Sequence, residues 1–258
     1  MPALKVTIVQ ADLCWHDAAK NRDAFEQRIS GIAEPTDLIV LPEMFTTGFS
    51  MNAAQLAETM DGESVSWMRA MAADANAAIC GSLIIADAEN YYNRFVCIAA
   101  DGRQTIYDKR HLFRLADEQH HYAPGQDLVT FDLKGFRVRP MICYDLRFPA
   151  WSRDRGDYDV LLYVANWPGR RHHAWQTLLP ARAIENLCYT IGVNRVGTDG
   201  NDVPYAGGST IIDYLGQELA GLGEQQGMLT ATLDLEALQK FRQRFAFHKD
   251  ADDFHLPA

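Results

Sequence analysis

Three apolar, strand-like segments of this chain each end in a residue that can take part in acid–base or nucleophilic chemistry. The segment LIVLPE ends in Glu43, QTIYDK ends in Lys109 and RPMIC ends in Cys143. In open α/β sheets, sites gather outside the carboxyl ends of strands, so neighbouring strands would bring these side chains into one pocket. The sequence therefore predicts a site that combines a carboxylate, an ammonium group and a thiol.

These three groups together suit attack on the carbon of an amide or a nitrile. A free thiol has a pKa of about 8.5 and needs a nearby base or cation to act as a nucleophile at neutral pH. Glu43 could take the thiol proton and later give it to a leaving amine, while Lys109 stabilises the oxyanion of a tetrahedral intermediate. The backbone N–H of Tyr144 would be the second oxyanion donor. Such a reaction passes through a thioester or thioimidate and needs no metal ion and no cofactor.

Each of these residues, taken singly, also fits an ordinary structural role. Glu43 could cap a helix or lie in a solvated loop, Lys109 could be a surface lysine, and Cys143 could be a small buried apolar residue. Spacing alone does not decide between the two interpretations.

Alternating strand-like and helical patterns must position these residues. Helical periodicity covers residues 17–33 and a segment whose helix Ser64 could cap. It also covers residues 172–187, where Pro180 should kink the helix or mark its true start. A terminal amphipathic helix is predicted over residues 235–245.

Two similar halves with a β-α-β-α-β-β-like order predict two mixed sheets packed face to face. The dipeptides Asp101-Gly102 and Lys134-Gly135 predict hairpin turns between neighbouring strands. With helices on both outer faces, the fold class is an α/β four-layer α-β-β-α sandwich. No low-complexity linker interrupts the chain, which predicts a single domain over residues 1–258 with a peripheral tail at 246–258.

Composition and charge indicate the cellular location of the protein and argue against some classes of binding partner. A formal net charge of −10 argues against nucleic acid or an anionic membrane as the main partner. The N-terminal sequence MPALKVTIVQAD does not have the pattern of a signal peptide, and no apolar run approaches the roughly 20 residues that span a bilayer. Five scattered cysteines without a CxxC pair predict reduced thiols and a cytoplasmic location. The histidine pairs at 120–121 and 172–173 lack a carboxylate at zinc spacing, so no metal site is predicted.

The sequence around the three residues resembles the signature blocks of the nitrilase superfamily of carbon–nitrogen hydrolases. LIVLPEMF, YDKRHLF and MICYDLRFP occur in that order, and the resemblance extends from VTIVQADL to GGSTIIDYLGQ. It implies a catalytic triad of Glu43, Lys109 and Cys143. It also implies a second glutamate shortly before a Tyr-x-Pro-Gly turn, which DEQHHYAPG supplies as Glu118. The implied role of Glu118 is to orient the lysine and the substrate amide.

Within the superfamily, EMFTTGFS, KRHLFRLADE and CYDLRFPAWSR most resemble the bacterial omega-amidases. These enzymes remove ammonia from the terminal amide of 2-oxoglutaramate or 2-oxosuccinamate, so the resemblance implies a small-molecule amide as substrate. The superfamily resemblance also implies a homodimer or larger homo-oligomer. True nitrilases often carry Cys-Trp-Glu where this chain has Cys-Tyr-Asp, which disfavours a nitrile substrate. The open alternatives are an N-carbamoyl amino acid or deaminated-peptide amidohydrolase, a nitrilase, and a non-catalytic scaffold subunit.

A dicarboxylic acid monoamide also needs a partner for its far carboxylate. Guanidinium groups bind carboxylates through two parallel donors, and the candidates for this role are Arg147, Arg170 and Arg171. Trp167 and Phe45 are the candidates for apolar walls beside the nucleophile. Arg147 could instead pair with Asp145 or cap the next helix, and the arginine pair could simply solvate a loop.

Overall fold

Two six-stranded sheets form the centre of the molecule, which is described here over residues 3–252 from a computed structural model. The first sheet consists of β1 (Ala3–Gln10), β2 (Leu38–Val40), β3 (Ala78–Asp87), β4 (Asn90–Ile98), β5 (Gln104–Asp108) and β14 (Gly227–Asp234). The second sheet consists of β6 (Phe131–Leu133), β7 (Phe136–Ile142), β8 (Val160–Val164), β9 (Tyr189–Val193), β12 (Thr210–Ile212) and β13 (Glu218–Gly221). A separate hairpin is formed by β10 (Val196–Thr198) and β11 (Pro204–Ala206).

Both sheets are mixed. The first has the strand order β14-β1-β2-β3-β4-β5, and the second has the order β13-β12-β9-β8-β7-β6. β1, β2 and β3 are parallel, as are β7, β8 and β9, and antiparallel strands complete both sheets. The helices are α1 (Ala18–Ser30), α2 (Ala53–Leu56), α3 (Glu63–Ala75), α4 (Pro149–Ser152), α5 (His172–Asn186) and α6 (Leu235–Arg244).

Alternation along the parallel strands assigns their side chains to two different cores. In β2, Leu38 and Val40 belong to the core between the two sheets, whereas Ile39 packs on the helix side with Phe25 of α1 and Met68 of α3. Because both faces of these strands are covered, their sequences are almost continuously apolar. α5 packs on β9 and β12 and covers the outer face of the second sheet. The fold is thus the four-layer α-β-β-α sandwich that the sequence predicts.

The two predicted hairpins are present. Gly102 lies in the turn between β4 and β5 with a φ of 83°. Lys134 and Gly135 join β6 to β7, and both have positive φ values, 50° and 86°. This pair of left-handed residues is the backbone pattern of a type I′ turn, whose twist matches that of the strands it connects.

One predicted helix signal is wrong, and one of the two alternatives predicted for another is excluded. Ser64 does not cap α3, because the helix already begins at Glu63 with Gly62 in the cap position. Glu58 satisfies the free Ser64 N–H instead, with Oε2 accepting at 2.7 Å. Pro180 does not mark the start of α5, since the helix begins at His172 and contains the proline.

The periphery of the molecule is partly described. Residues 246–252 of the predicted tail are mostly exposed and include one 3₁₀ turn, whereas residues 253–258 lie outside the described part of the chain. None of the helices within residues 3–252 is both long and apolar enough to cross a membrane.

Candidate active site

The three polar strand ends meet where the two sheets face each other. Glu43 follows β2 and Lys109 follows β5 in the first sheet, while Cys143 follows β7 in the second. Lys109 and Cys143 line a cavity of about 470 Å³, and Glu43 is fully buried beneath it. The packing of one sheet against the other therefore assembles the site.

A buried lysine lies between two buried carboxylates. Lys109 Nζ donates to Glu43 Oε1 at 3.0 Å and to both carboxylate oxygens of Glu118 at 3.0 Å. Phe113 N–H donates to Glu118 Oε2 at 2.5 Å, and Asn93 Nδ2 donates to Glu43 Oε1 at 2.7 Å. Each carboxylate thus has a second donor besides the lysine, which fixes its orientation.

Burial and neighbouring charges shift the pKa values of Lys109 and Glu118. Burial alone would lower the pKa of Lys109, but the carboxylates of Glu118 and Glu43 raise it well above its usual value. Burial raises the pKa of Glu118, and Lys109 offsets part of that rise. The ammonium group of Lys109 therefore stays protonated at any physiological pH and can act as a fixed positive charge.

The Cys143 thiol occupies a sharp turn at the end of β7. Its backbone is in the left-handed region, with a φ of 44°, and a 3₁₀ turn from Cys143 to Arg147 follows directly. Side chains other than glycine reach this region only at an energetic cost, and such residues cluster at functional sites. Burial and the Glu43 carboxylate raise the pKa of the thiol, whereas Lys109 lowers it. Tyr144, the next residue, also lines the cavity.

A strand end in the second sheet completes the surroundings of Glu43. Asn166 follows β8, and its N–H donates to Glu43 Oε2 at 2.7 Å. Its side-chain Nδ2 donates to the Glu43 carbonyl oxygen at 2.5 Å. Sequence reasoning missed both Asn166 and Asn93. The signal for Asn166 was the same as for the other three, a polar residue at the end of the apolar run DVLLYVAN.

Arginines and aromatic rings form one side of the cavity. Arg147 lies over the Trp167 ring with its Cζ 5.1 Å from the centroid, and Arg171 lies over the Phe113 ring at 4.8 Å. Arg170 also lines the cavity. Burial lowers the pKa of Arg171, and the positive charges of Arg170 and Arg147 lower it further. Within residues 3–252, none of the three arginines forms an ion pair with a carboxylate.

Phe45 does not form a wall of the cavity, and this prediction is wrong. The backbone reverses at Met44, which has a φ of 42°, and Phe45 then packs into the core between the first sheet and its helices. Its ring lies 5.6 Å from that of Phe25 and 5.8 Å from that of Trp67. Phe49, four residues later, contributes the aromatic surface and lies 5.1 Å from Lys109 Nζ.

Arg147 takes neither of its two alternative roles, which were to pair with Asp145 or to cap the next helix. Asp145 is fully buried and accepts hydrogen bonds from Tyr107, His111 and Ile142, not from Arg147. α4 begins at Pro149 without a side-chain cap. Arg147 is exposed at the cavity with its guanidinium over Trp167.

Comparison with known proteins places these features in a wider context. The family model described as carbon-nitrogen hydrolase matches residues 5–243. Omega-amidase YafV of Escherichia coli (strain K12) is 46% identical over 257 residues, which cover 99% of this chain and 100% of that protein. The 2-oxoglutaramate amidase of Bacillus subtilis (strain 168) is 33% identical over 251 residues, covering 95% and 96% of the two chains.

A solved structure is similar over its whole length. The crystal structure of XC1258 from Xanthomonas campestris, described as a CN-hydrolase superfamily protein with an arsenic adduct in the active site, superposes with a TM-score of 0.97. The two chains are 45% identical, and the match covers 100% of each.

Proposed function

The chain belongs to the carbon–nitrogen hydrolase family, and we propose on that basis that it is an omega-amidase that releases ammonia from the terminal amide of a small 2-oxo dicarboxylic acid monoamide, with 2-oxoglutaramate as the reference substrate. Two relatives that match almost end to end are an omega-amidase and a 2-oxoglutaramate amidase. The observation that carries the proposal is that Lys109 and Cys143 line one cavity, with the Glu43 carboxylate hydrogen-bonded to Lys109 beneath it, in a chain with these relatives.

In the proposed acylation step, Cys143 attacks the amide carbon while Glu43 accepts the thiol proton. The carbonyl oxygen becomes an oxyanion beside Lys109 Nζ and the Tyr144 N–H. The carbon–nitrogen bond then breaks, Glu43 gives its proton to the departing nitrogen, and ammonia leaves behind a thioester. The Glu43 carboxylate raises the pKa of the Cys143 thiol, and this electrostatic coupling between the two groups supports the proton path.

In the proposed deacylation step, Glu43 takes a proton from water as the water oxygen attacks the thioester carbon. The carbon–sulfur bond breaks, and the sulfur recovers its proton from Glu43 to complete the cycle. Glu118 orients Lys109 in both steps, and the two 3.0 Å hydrogen bonds between them support that role. No cofactor takes part in the proposed cycle.

The arginine side of the cavity suits the far carboxylate of the substrate. Arg147, Arg170 and Arg171 carry positive charge that no carboxylate of the described chain neutralises by an ion pair. Asp199 also lines the cavity, but its oxygens accept hydrogen bonds from Tyr205 O–H at 2.9 Å and from two backbone N–H groups. The cavity therefore favours an anionic end group over an ammonium group, with Trp167 as its apolar wall.

Three further properties belong to this proposal. The chain acts as a single catalytic domain, it works in the cytoplasm with its cysteines reduced, and it assembles as a homodimer or larger homo-oligomer. The five cysteines are all unpaired, which supports the second of these.

The test is ammonia release by the purified protein from a panel of four compounds. The panel comprises 2-oxoglutaramate, succinamate, an N-carbamoyl amino acid and a simple nitrile, with Cys143→Ala as the control. We expect the highest kcat/KM with 2-oxoglutaramate and no turnover by the variant. A preference for the carbamoyl compound or for the nitrile would replace the omega-amidase assignment, and equal turnover by Cys143→Ala would exclude the thiol mechanism.

A second measurement addresses the arginines. Replacing each of Arg147, Arg170 and Arg171 by alanine should raise KM for 2-oxoglutaramate at whichever position holds the carboxylate. Unchanged KM in all three variants would mean that the carboxylate is bound elsewhere.

A further inference from the structure

A fully buried carboxylate lies directly beneath the nucleophile turn. Asp145 Oδ2 accepts hydrogen bonds from Tyr107 O–H at 2.7 Å and from Ile142 N–H at 3.0 Å. Its other oxygen, Oδ1, accepts from His111 N–H at 3.0 Å and lies 2.8 Å from His111 Nδ1. Four donors thus converge on one carboxylate, and a buried charge is tolerated only when it is compensated in this way.

These donors come from both segments that carry the proposed catalytic groups. Ile142 directly precedes Cys143, whereas Tyr107 and His111 lie two residues on either side of Lys109. Ile142 and Asp145 belong to the second sheet and its turn, and Tyr107 belongs to the first sheet. The Asp145 carboxylate therefore ties the segment of the lysine to the turn of the cysteine.

The partners of Asp145 are themselves held in place. Trp151 Nε1 donates to the Tyr107 hydroxyl at 3.0 Å, so this hydroxyl is directed to Asp145 as a donor. The His111 ring stacks on Phe148 at 3.8 Å between centroids and 7° between planes. Neither Asp145 nor Tyr107 lines the cavity, so neither can touch a substrate there.

We propose that Asp145 is a positioning residue, which holds the left-handed turn of Cys143 in register with Lys109 through His111 and Tyr107. The role rests on the proposed function of Cys143 as a nucleophile. The turn is intrinsically unfavourable at a φ of 44°, and the hydrogen bond from Ile142 N–H anchors the residue just before it. Loosening this anchor would move the sulfur relative to Glu43 and Lys109, whereas Arg170 and Arg171 lie in a separate 3₁₀ turn, Gly169–Arg171.

Asp145→Asn tests the role with almost no change in side-chain volume. In either orientation of the amide, its NH₂ group faces a backbone donor, Ile142 N–H or His111 N–H. A backbone N–H can only donate, so the two groups cannot form a hydrogen bond. One donor is then left without an acceptor, and the turn is no longer held in the same geometry. We expect kcat to fall by about tenfold or more, because displacements near 1 Å cost up to about a hundredfold, while KM stays within about threefold.

A second readout does not depend on the identity of the substrate. The rate of alkylation of Cys143 by iodoacetamide, followed by mass spectrometry of its peptide, should also change at least severalfold in Asp145→Asn. If none of the amides is hydrolysed by the wild type, the proposed function fails, but the alkylation rate still decides on the positioning role. A kcat and an alkylation rate both within twofold of the wild type would overturn the role.

Tyr107→Phe provides a decision even if Asp145→Asn does not fold. It removes one of the four donors, and we expect a severalfold loss of kcat with KM unchanged. Tyr158→Phe is the matched control, because the Tyr158 hydroxyl is equally buried but donates to the Ser152 carbonyl and not to Asp145, and neither Tyr158 nor Ser152 lines the cavity. Both variants should lower Tm, but only Tyr107→Phe should lower kcat. Equal kcat values in the two variants would show that the Tyr107 contact is merely structural.

Discussion

The Cys143 thiol lies among groups with opposite effects on its proton. Burial is the largest influence and raises its pKa, the Glu43 carboxylate raises it further, and Lys109 lowers it. The net effect keeps the thiol protonated at neutral pH. In the proposed mechanism its proton therefore passes to a base as the sulfur attacks, and Glu43 is the carboxylate whose charge acts most strongly on the pKa of the thiol.

Glu43→Gln separates the effect of Glu43 on the pKa of Cys143 from its proposed role as the general base. In Glu43→Gln the anion beside the thiol disappears, so the thiolate becomes easier to form and the pKa of Cys143 should fall. We expect the pH profile of alkylation by iodoacetamide to move to lower pH. Turnover should nevertheless fall by about 10²- to 10⁴-fold, because the general base is lost.

This measurement is best made in a Cys14→Ser background, since Cys14 is an exposed free thiol. A profile that moves to higher pH would mean that Glu43 does not raise the pKa of the thiol. Retained turnover would mean that another group accepts its proton.

The sequence located these residues better than it located their neighbours. Glu43, Lys109 and Cys143 could be found because each is a polar residue at the end of an apolar strand. Phe45 was misplaced because the turn at Met44 depends on hydrogen bonds that β3 accepts, including one from Met44 N–H to Ser82 Oγ at 2.8 Å. Such a contact joins residues 38 positions apart, and no local pattern reports it.

At the scale of elements, a glycine fixes the segment that carries the lysine. Gly125 N–H donates to the Lys109 carbonyl oxygen at 2.9 Å. A Cβ atom at Gly125 would lie 2.1 Å from the Asp108 carbonyl oxygen and 2.8 Å from its carbonyl carbon. Since these are backbone atoms, they cannot move aside without shifting Lys109.

Gly125→Ala should therefore lower both stability and kcat. We expect a loss of about 1–3 kcal/mol in the free energy of unfolding, as for other overpacked positions, together with at least a tenfold loss of kcat. Chemical denaturation and steady-state kinetics measure the two quantities. Gly223→Ala is the matched control, because a Cβ there meets no atom within 4 Å and its backbone does not have a positive φ. A kcat for Gly125→Ala equal to that of the control would show that the close packing does not reach the lysine.

Element prediction succeeded where a local signal sufficed. Asp101-Gly102 and Lys134-Gly135 determine their turns by backbone conformation alone, so both hairpins followed from two residues each. The start of α3 could not be read in the same way. Its capping acceptor, Glu58, lies outside the helix, and Ser64 is a suitable capping type at the wrong position.

At the scale of the whole molecule, the charge of the cavity opposes that of the chain. The chain has a formal net charge of −10, yet Arg147, Arg170 and Arg171 carry positive charge at one opening. An anionic substrate is repelled by the molecule as a whole and attracted at the site. Salt should weaken the local attraction, because the Debye length is only about 8 Å at 0.15 M ionic strength.

We accordingly expect KM for 2-oxoglutaramate to rise severalfold between about 0.02 M and 0.5 M salt, with a smaller change in kcat. An uncharged amide of similar length, if it is hydrolysed, serves as the control and should show little change in KM. A KM for the anionic substrate that does not depend on salt would indicate that its carboxylate is not recognised by exposed cations.

The face-to-face arrangement of the two sheets could be predicted from the order of the strands along the chain. The pairing of the first strand, β1, with the last strand, β14, could not. β14 lies beside β1 in register from Ala3 opposite Asp234 to Gln10 opposite Gly227. Antiparallel neighbours so distant in sequence leave no trace in either segment, because each is simply an apolar strand with a suitable alternation.

Because β14 is an edge strand of the first sheet, the C-terminal half of the polypeptide completes the sheet that the N-terminal half forms. A break in the backbone between β5 and β6 would leave Glu43 and Lys109 on one fragment and Cys143, with β14, on the other. In the proposed mechanism neither fragment hydrolyses an amide by itself, and the missing edge strand of the first would have to be supplied by the second. Hydrolysis by a nicked or reconstituted enzyme would thus report complementation between two pieces.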